Sequence, residues 1–396
     1  MTPSYSTPTP DSNEVTLRRE ILPANLADWR SYECGPRIDP HDHTWLPLWS
    51  RLQPLLSVRG YTLWEKQWGF SLMSPSHRGP SPNGFLYHTP TISDSYQSLH
   101  YVNPANANII TARHNDGRDV MVRIMAAKGE GHDTLRIVKK ICTGEEGLLS
   151  SNHALPLLEV FEYHDLTFGV FPLVAVSLTR SINSWPKNTV EDIMDMLMQA
   201  IERIVFIHER HRIAHRDLFL SNFLLEWHPN TSEPGLKRRG FTRPRVYLID
   251  FETAVDFPED STPEERVVTG YPFPLDSYGR PVAPEFRVSD TYNPFALNIW
   301  QFGSDLARFR STIWEIDETL ESTRNEDPRS RPTAAELLDR LDAVVSGIPP
   351  ALLRKKPVEL PEEPYSMSDS QYRRLEASGK RLEAERKAEA NKEKMG

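Results

Sequence analysis

The stretch that decides the fold reads IAHRDLFLSN at residues 213–222, and the triplet DFE follows it at residues 250–252. The first stretch carries a carboxylate, Asp217, ahead of an amide, Asn222, and the triplet adds a second carboxylate, Asp250. Carboxylate and amide oxygens are the ligands that Mg²⁺ prefers, and a well-placed carboxylate can accept the proton of a hydroxyl group. Phosphoryl transfer is one reaction that uses such groups, with Asp217 suited to the role of base and with Asn222 and Asp250 suited to hold Mg²⁺.

This pattern resembles the catalytic-loop signature H-R-D-L-x-x-x-N and the D-F-G triplet of the eukaryotic protein kinase family. Two later segments resemble further markers of that family in the same order, namely APE at residues 283–285 and DPRSRP at residues 327–332. The resemblance implies a two-lobed α+β protein kinase-like fold, with a small β-rich N-lobe and a helical C-lobe. It also implies an ion pair between Glu285 and Arg331.

The resemblance also implies that His215 and Arg216 are catalytic residues, beside the base in the same loop. An arginine directly before the catalytic aspartate occurs in kinases whose activation segment is ordered by a phosphate group. The candidate phosphate acceptors between Asp250 and Glu285 all carry a hydroxyl group, and they are Ser261, Thr262, Thr269, Tyr271, Ser277 and Tyr278.

Composition shifts and hydrophobic periodicity divide the chain into segments. We expect a disordered N-terminus over residues 1–20, a Trp-rich extension over 21–100, a kinase-like domain over 101–350 and a charged tail over 351–396. The N-lobe would cover residues 101–175 and the C-lobe residues 176–350.

Local patterns predict several elements of this domain and of the extension. The turn residues Asn115-Asp116-Gly117 predict a hairpin over residues 109–125. The patterns also predict strands over 155–163 and 166–173, and helices over 45–56, 132–142 and 189–211. The apolar residues expected on the buried face of the last helix are Ile193, Leu197, Ala200, Ile201 and Ile204.

Several positions depart from the family pattern. Arg123 stands where the resemblance places a phosphate-pairing lysine, and a planar guanidinium is not equivalent to a compact ammonium. Residues 102–108 hold no glycine for a phosphate-binding loop, and Glu252 replaces the glycine of D-F-G. Phe219 replaces a lysine that Ser/Thr-type loops carry, and Asn298 replaces an aspartate that braces the catalytic loop. The amide of Asn298 can accept one such hydrogen bond.

The resemblance implies ATP and Mg²⁺ as cofactors. It places Arg123 at the phosphates and Phe171 at the back of the adenine pocket. The backbone near Leu173 and Val174 would then meet the base.

Composition bounds the remaining possibilities. The 396 residues carry a formal net charge of −9, which argues against wholesale binding to nucleic acid or to anionic membranes. Residues 1–15 contain no apolar signal core, and no run of about 18 apolar residues is present. Two cysteines do not suggest a disulfide framework. We therefore expect an intracellular protein, cytoplasmic or nuclear, that meets a protein substrate or a protein partner.

Three functions are compatible with these residues. The first is a protein kinase that phosphorylates Ser or Thr. The second is a pseudokinase scaffold with weak or no nucleotide turnover, which Arg123 and the missing glycine loop favour. The third is a small-molecule kinase, which the APE segment and Arg331 oppose because these residues support a protein-docking segment.

Overall fold

The computed structural model describes residues 19–31, 46–66, 72–73, 101–102, 106–174, 176–179, 182, 188–225, 245–272, 279–287 and 291–359. The expectations for residues 1–18 and 360–396 lie outside these ranges. The chain forms two compact units: residues 1–135 with 156–174 are unit 1, and residues 136–155 with 175–396 are unit 2. The architecture is α+β, as the sequence predicts. Within the ranges given, no helix is long and apolar enough to cross a membrane.

Unit 1 is built on strands. In chain order they are β1 (Tyr61–Leu63), β2 (Glu65–Lys66), β3 (Leu72–Met73), β4 (Tyr101–Val102), β5 (Ile109–His114), β6 (Asp119–Ala127), β7 (Glu159–Tyr163) and β8 (Leu166–Pro172). Five of them form an antiparallel sheet in the order β1-β5-β6-β8-β7. The remaining three form a small sheet in the order β2-β3-β4.

The predicted hairpin is confirmed as β5 and β6. Its turn contains Gly117 at φ +89°, a left-handed conformation that glycine adopts without steric cost. The strand predicted over 155–163 begins instead at Glu159. Pro156, which lies in the missing part, has no N–H group to donate to a ladder.

Three α-helices begin in the described part of unit 1. They are α1 (Leu26–Ser31), α2 (Leu46–Val58) and α3 (His132–Cys142), and the last of these continues into unit 2. The predicted helices over 45–56 and 132–142 correspond to α2 and α3. Each is followed by a glycine in the left-handed region, Gly60 at φ +83° and Gly144 at φ +63°, which suits a helix end.

The described part of the Trp-rich extension shares one hydrophobic core with the five-stranded sheet. Trp29 and Trp49 are fully buried, with ring centroids 5.9 Å apart, and Trp49 lies 6.3 Å from the ring of Phe168 on β8. The indole N–H of Trp49 donates to the carbonyl oxygen of Ala107 at 2.7 Å, so its one polar group is satisfied. Residues before the hairpin thus complete the core of unit 1.

Unit 2 contains the longest helix among the described residues. Its helices are α4 (Val190–Val205), α5 (Pro294–Ser304), α6 (Trp314–Ser322), α7 (Ala334–Gly347) and α8 (Pro350–Leu353). Thr189 and Asp192 form a capping box that starts α4, and the five apolar residues predicted for its buried face are all buried. The helix predicted to reach residue 211 leaves α geometry after Val205 and continues as a π-helical turn over Phe206–Arg210. Such turns widen a helix locally and are frequent at functional sites.

Short strand pairs in unit 2 position two loops. The strands are β9 (Val176–Ser177), β10 (Ile213–Ala214), β11 (Phe223–Leu225), β12 (Val246–Leu248), β13 (Val255–Asp256), β14 (Val268–Thr269), β15 (Thr291–Tyr292), β16 (Phe309–Arg310) and β17 (Val358–Glu359). β10 pairs with β13 and β11 pairs with β12, both antiparallel. Residues 215–222 link β10 to β11, and residues 249–254 link β12 to β13. The two loops therefore lie side by side.

Candidate functional site

Backbone hydrogen bonds join the two loops that carry the sequence motifs. The N–H of Ile249 donates to the carbonyl oxygen of Asn222 at 2.9 Å. His215 Nε2 lies 2.9 Å from the carbonyl oxygen of Ile249, and the hydroxyl of Thr253 donates to the carbonyl oxygen of His215 at 2.8 Å. These contacts bring Asn222 next to the segment that starts with Asp250.

The amide of Asn222 is oriented by the base candidate. Its Nδ2 donates to the carbonyl oxygen of Asp217 and to Asp217 Oδ2, each at 2.8 Å. Because both of these partners are acceptors, the NH₂ group of the amide must face them. The Oδ1 atom of Asn222 is therefore turned away from Asp217, and it is the atom that could bind a cation.

Asp217 is a buried carboxylate with one oxygen occupied and one unpartnered. Asp217 is only 5% exposed. Oδ2 accepts hydrogen bonds from Asn222 and, at 3.2 Å, from Nη2 of Arg280. Oδ1 is buried and accepts no hydrogen bond from the described residues. An unsatisfied buried acceptor costs about 1–3 kcal/mol, and a hydroxyl donor of a bound substrate would remove that cost.

His215 connects the two loops as a neutral ring. Its Nδ1 accepts the backbone N–H of Asp217 at 3.3 Å, so the ring proton sits on Nε2 and is donated to Ile249. Burial lowers the pKa of His215, which agrees with a neutral ring at neutral pH. His215 is therefore a positioning residue.

Two residues of the site adopt a left-handed backbone that non-glycine residues avoid. Arg216 has φ +68° and Asp250 has φ +69°. Such conformations cost about 1–3 kcal/mol each, so the surrounding contacts must maintain them. Phe251 supplies part of that support, because its ring lies 4.9 Å from the ring of His215 and 5.6 Å from the guanidinium carbon of the buried Arg203.

Arg216 is held by neutral groups. Its Nε donates to the hydroxyl of Tyr292 at 3.0 Å, Nη1 to the carbonyl oxygen of Thr253 at 3.4 Å, and Nη2 to the carbonyl oxygen of Gly270 at 3.1 Å. The guanidinium thus already links the loop of residues 215–222 to Thr253, Gly270 and Tyr292. The phosphate that the sequence suggested for this arginine is not required for these contacts.

Four of the six candidate phosphate acceptors are described, while Ser277 and Tyr278 lie outside the described residues. The hydroxyl of Ser261 donates to the carbonyl oxygen of Pro258 at 2.6 Å, and that of Tyr271 donates to the carbonyl oxygen of Phe286 at 2.5 Å. Thr262 and Thr269 are exposed. Of the four, the two threonines are thus the more accessible.

One face of α5 and its C-cap support the loop of residues 215–222. Asn298 Oδ1 accepts the backbone N–H of Arg216 at 2.8 Å. The side chain of Gln301 accepts the N–H of Leu218 at 2.9 Å and donates to the carbonyl oxygen of Arg216 at 2.8 Å. Asp305 Oδ2 accepts the N–H of Leu220 at 2.8 Å. Positions 298, 301 and 305 lie on one helix face. The sequence analysis identified only Asn298, although the spacing of three and four residues could have indicated Gln301 and Asp305 as further supports of the loop.

Asn298 is matched to a buried histidine. Its Nδ2 lies 2.9 Å from Nε2 of His208 in the π-helical turn. Burial lowers the pKa of His208 to about 3, so the ring is neutral and Nε2 can accept the amide proton. An amide at position 298 therefore serves two partners, one with each end, whereas a carboxylate could not donate to His208.

Burial raises the pKa of Asp305 to about 6, and the nearby carboxylate of Asp217 adds to the shift. The hydrogen bond from Leu220 and the charge of Arg280 oppose it. Asp305 is therefore a brace whose charge changes in the weakly acidic range.

The predicted ion pair between Glu285 and Arg331 is confirmed. Nη1 and Nη2 of Arg331 reach the two carboxylate oxygens of Glu285 at 2.8 and 2.7 Å. Both side chains are buried, at 0% exposure for Arg331 and 8% for Glu285. This bidentate pair fixes the end of the APE segment to the turn before α7.

The four residues expected to bind nucleotide lie in unit 1. Arg123 is half-buried on the central strand β6, opposite Ile109 on β5 and Gly169 on β8. Phe171 pairs with Met121 across the same ladder. Leu173 and Val174 follow β8 and are half-buried, and the N–H of Leu173 donates to the carbonyl oxygen of Asp119 at 3.1 Å.

Among the described residues, no group of three or more His, Cys, Asp or Glu side chains is arranged to hold a metal ion. The candidate magnesium ligands Asn222 and Asp250 are a pair that includes an asparagine, so they would not form such a group. No protein-family model and no curated protein matches this chain.

Proposed function

We propose that this chain is a protein kinase-like protein that transfers the γ-phosphoryl group of ATP to Ser or Thr hydroxyls of proteins. Unit 1 would be the small lobe and unit 2 the large lobe of a kinase-like fold. The observation that carries the proposal is the contact between the Asn222 amide and the Asp217 carboxylate at 2.8 Å, beside the segment that starts with Asp250. It supports the roles that the spacing of these residues suggests.

In this mechanism Asp217 receives the acceptor hydroxyl on its unpartnered Oδ1. The acceptor oxygen forms a bond to the γ-phosphorus while the bond from phosphorus to the bridging oxygen breaks, and that electron pair leaves with ADP. The hydroxyl proton passes to Asp217. Asn222 orients the carboxylate, and His215 holds the loop in place through its neutral ring.

Asn222 Oδ1 and the carboxylate of Asp250 would hold Mg²⁺, because both are hard oxygen ligands. When bound, the ion offsets the negative charge of the phosphates. The bond between Ile249 and Asn222 ties the two ligand-bearing loops together at 2.9 Å. The ion would therefore meet a site whose backbone is already fixed.

A protein substrate is favoured over a small molecule by the buried pair of Glu285 and Arg331. This pair anchors the segment before α5, which would dock the acceptor peptide.

Two residues favour a second candidate, a pseudokinase scaffold. Arg123 occupies the middle of the central strand in unit 1, where the phosphate-pairing lysine is expected, and Glu252 adds a half-buried acid next to Asp250. Both substitutions would weaken the hold on ATP. A scaffold would keep the fold and its protein contacts with little turnover.

The test combines two measurements on the full chain. Transfer of labelled phosphate from ATP to a mixed Ser/Thr peptide library measures turnover, and the shift in melting temperature with Mg·ATP measures binding. Asp217→Asn should abolish transfer and retain the thermal shift, while Asp250→Asn should lose both. Asp342→Asn, an exposed position on α7, serves as the matched control.

Ligand at 100 times its dissociation constant stabilises the native state by about 2.7 kcal/mol, so binding is measurable by this method. A thermal shift without transfer by the wild type would favour the scaffold. Neither transfer nor shift at millimolar Mg·ATP would refute the proposed function.

A further inference from the structure

An arginine from a different part of the chain lies on the catalytic carboxylate. Nη2 of Arg280 lies 3.2 Å from Asp217 Oδ2, and Nη1 donates to the hydroxyl of Ser221 at 2.6 Å. The guanidinium carbon lies 4.8 Å from the ring centroid of Phe219. Three neighbouring residues of the loop thus fix this side chain, which is 32% exposed.

The surroundings of Arg280 are acidic. Arg280 contacts the carboxylate of Asp217, and Asp305 lies close enough for its pKa to respond to both Asp217 and Arg280. Between Asp217 and Asn222 the loop itself contributes only Leu218, Phe219, Leu220 and Ser221, none of which carries a positive charge. A phosphoryl group entering such a site would meet repulsion unless a cation offset it.

We propose that Arg280 is a catalytic residue that binds the transferring phosphoryl group and supplies the positive charge that residues 218–221 lack. This role rests on the proposed function. Stacking on Phe219 and the bond to Ser221 hold the guanidinium plane, which reduces the entropy lost when an anion binds. A planar fork of N–H donors matches two oxygens of a phosphoryl group.

Arg280 retains donors for that task. A guanidinium has five N–H donors. Contacts with the described residues use two of them, one on Nη1 and one on Nη2, and so three remain. During transfer they would contact the phosphoryl oxygens as charge moves from the phosphorus to the leaving oxygen of ADP.

The opposite role, in which Arg280 blocks the base, fits the contacts less well. Arg280 and Asn222 both bind Oδ2 of Asp217, and Oδ1 keeps no partner among the described residues. The oxygen that would receive the hydroxyl proton is buried, but Arg280 does not use its hydrogen-bonding capacity. Arg280 therefore orients the carboxylate through Oδ2 and leaves Oδ1 unpaired.

The experiment measures transfer of labelled phosphate to the peptide library by the full-length wild type, Arg280→Ala and Arg280→Lys. We expect Arg280→Ala to lower kcat by about 100-fold or more with less than about a threefold change in KM for ATP, as when a phosphate-clamping donor is removed. Arg280→Lys should recover part of kcat, because it restores the charge without the planar fork. Arg266→Ala is the matched control, since Arg266 lies on the same segment and contacts Ser261.

Chemical rescue separates a catalytic cation from a structural one. Guanidinium ion added at millimolar concentration should raise the rate of Arg280→Ala severalfold and leave Arg266→Ala and the wild type unchanged. A folding defect in Arg280→Ala would instead lower the amplitude of its thermal transition and would not respond to guanidinium.

Two results would overturn the role. An unchanged or faster Arg280→Ala, with Asp217→Asn inactive, would show that the enzyme works without this cation or is inhibited by it. A loss of kcat without rescue, with Arg280→Lys as poor as Arg280→Ala, would make Arg280 a structural residue. If the wild type and Asp217→Asn are both inactive, the proposed function itself fails.

Discussion

Asp305→Asn should stabilise the protein at neutral pH. The carboxylate of Asp305 accepts the N–H of Leu220 in a largely buried place, and its pKa is raised from 3.8 to about 6. Between these two values the folded state binds more protons than the unfolded state, so stability falls as the pH rises through this window. An amide keeps an acceptor oxygen for Leu220 and carries no charge at any pH.

The magnitude follows from the shift in pKa. One pKa unit corresponds to about 1.4 kcal/mol, so a shift from 3.8 to about 6 corresponds to about 3 kcal/mol. Asp305 keeps some exposure, and solvent screening reduces the expected gain to about 1–2 kcal/mol. The gain should be absent near pH 4, grow up to about pH 6 to 7 and stay constant above it.

Urea denaturation of the wild type and of Asp305→Asn at several pH values from 4 to 8 measures this difference directly. The exposed Asp342→Asn on α7 controls for the loss of one negative charge. A difference between wild type and Asp305→Asn that does not vary with pH would refute the reasoning, as would a variant that is less stable at pH 7.5.

Three further substitutions test the core and the braces by urea denaturation. Arg331→Ala leaves Glu285 as an unpaired buried carboxylate and should lower the free energy of unfolding by about 3–5 kcal/mol, and a loss below 1 kcal/mol would contradict the buried pair. Trp49→Ala opens a cavity beside β8 and should cost about 3–5 kcal/mol, whereas a neutral effect would mean that the extension is not part of the core. Asn298→Ala leaves a buried backbone N–H and His208 without their partner and should cost about 1–3 kcal/mol, together with a loss of phosphate transfer, and unchanged transfer would argue against its role as a brace.

Sequence patterns predicted the parts of the fold that depend on neighbouring residues. The hairpin of β5 and β6 follows from its turn residues, and the buried face of α4 follows from periodicity, since both signals arise within one element. The apolar run before β7 shows the limit of such patterns. Its residues are apolar enough for a strand, but proline has no N–H group to donate to a neighbouring strand, and the strand begins only after it. The departure from α geometry after Val205 had no local signal.

The residues at the centre of the site were identified by spacing, while their supports were not. Asp217 and Asn222 belong to one short loop, so their contact follows from the motif. Arg280 reaches the same carboxylate from 63 positions away, and only the path of the chain between them determines that contact. Gln301 had a usable signal in its position relative to Asn298 on α5, because helix neighbours three residues apart share a face.

Strand β1 belongs to the segment before the hairpin, and this has a practical consequence for work on fragments of this chain. Its residues Tyr61–Leu63 cap one side of β5, and α2 covers the apolar surface beneath. A fragment that begins just before the hairpin, near the predicted domain boundary, would lack β1 and α2. The edge of β5 would then have unpaired backbone groups. Unpaired strand edges pair with other chains, so such a fragment would accumulate as insoluble aggregate, and inactivity measured on it would say nothing about the intact protein.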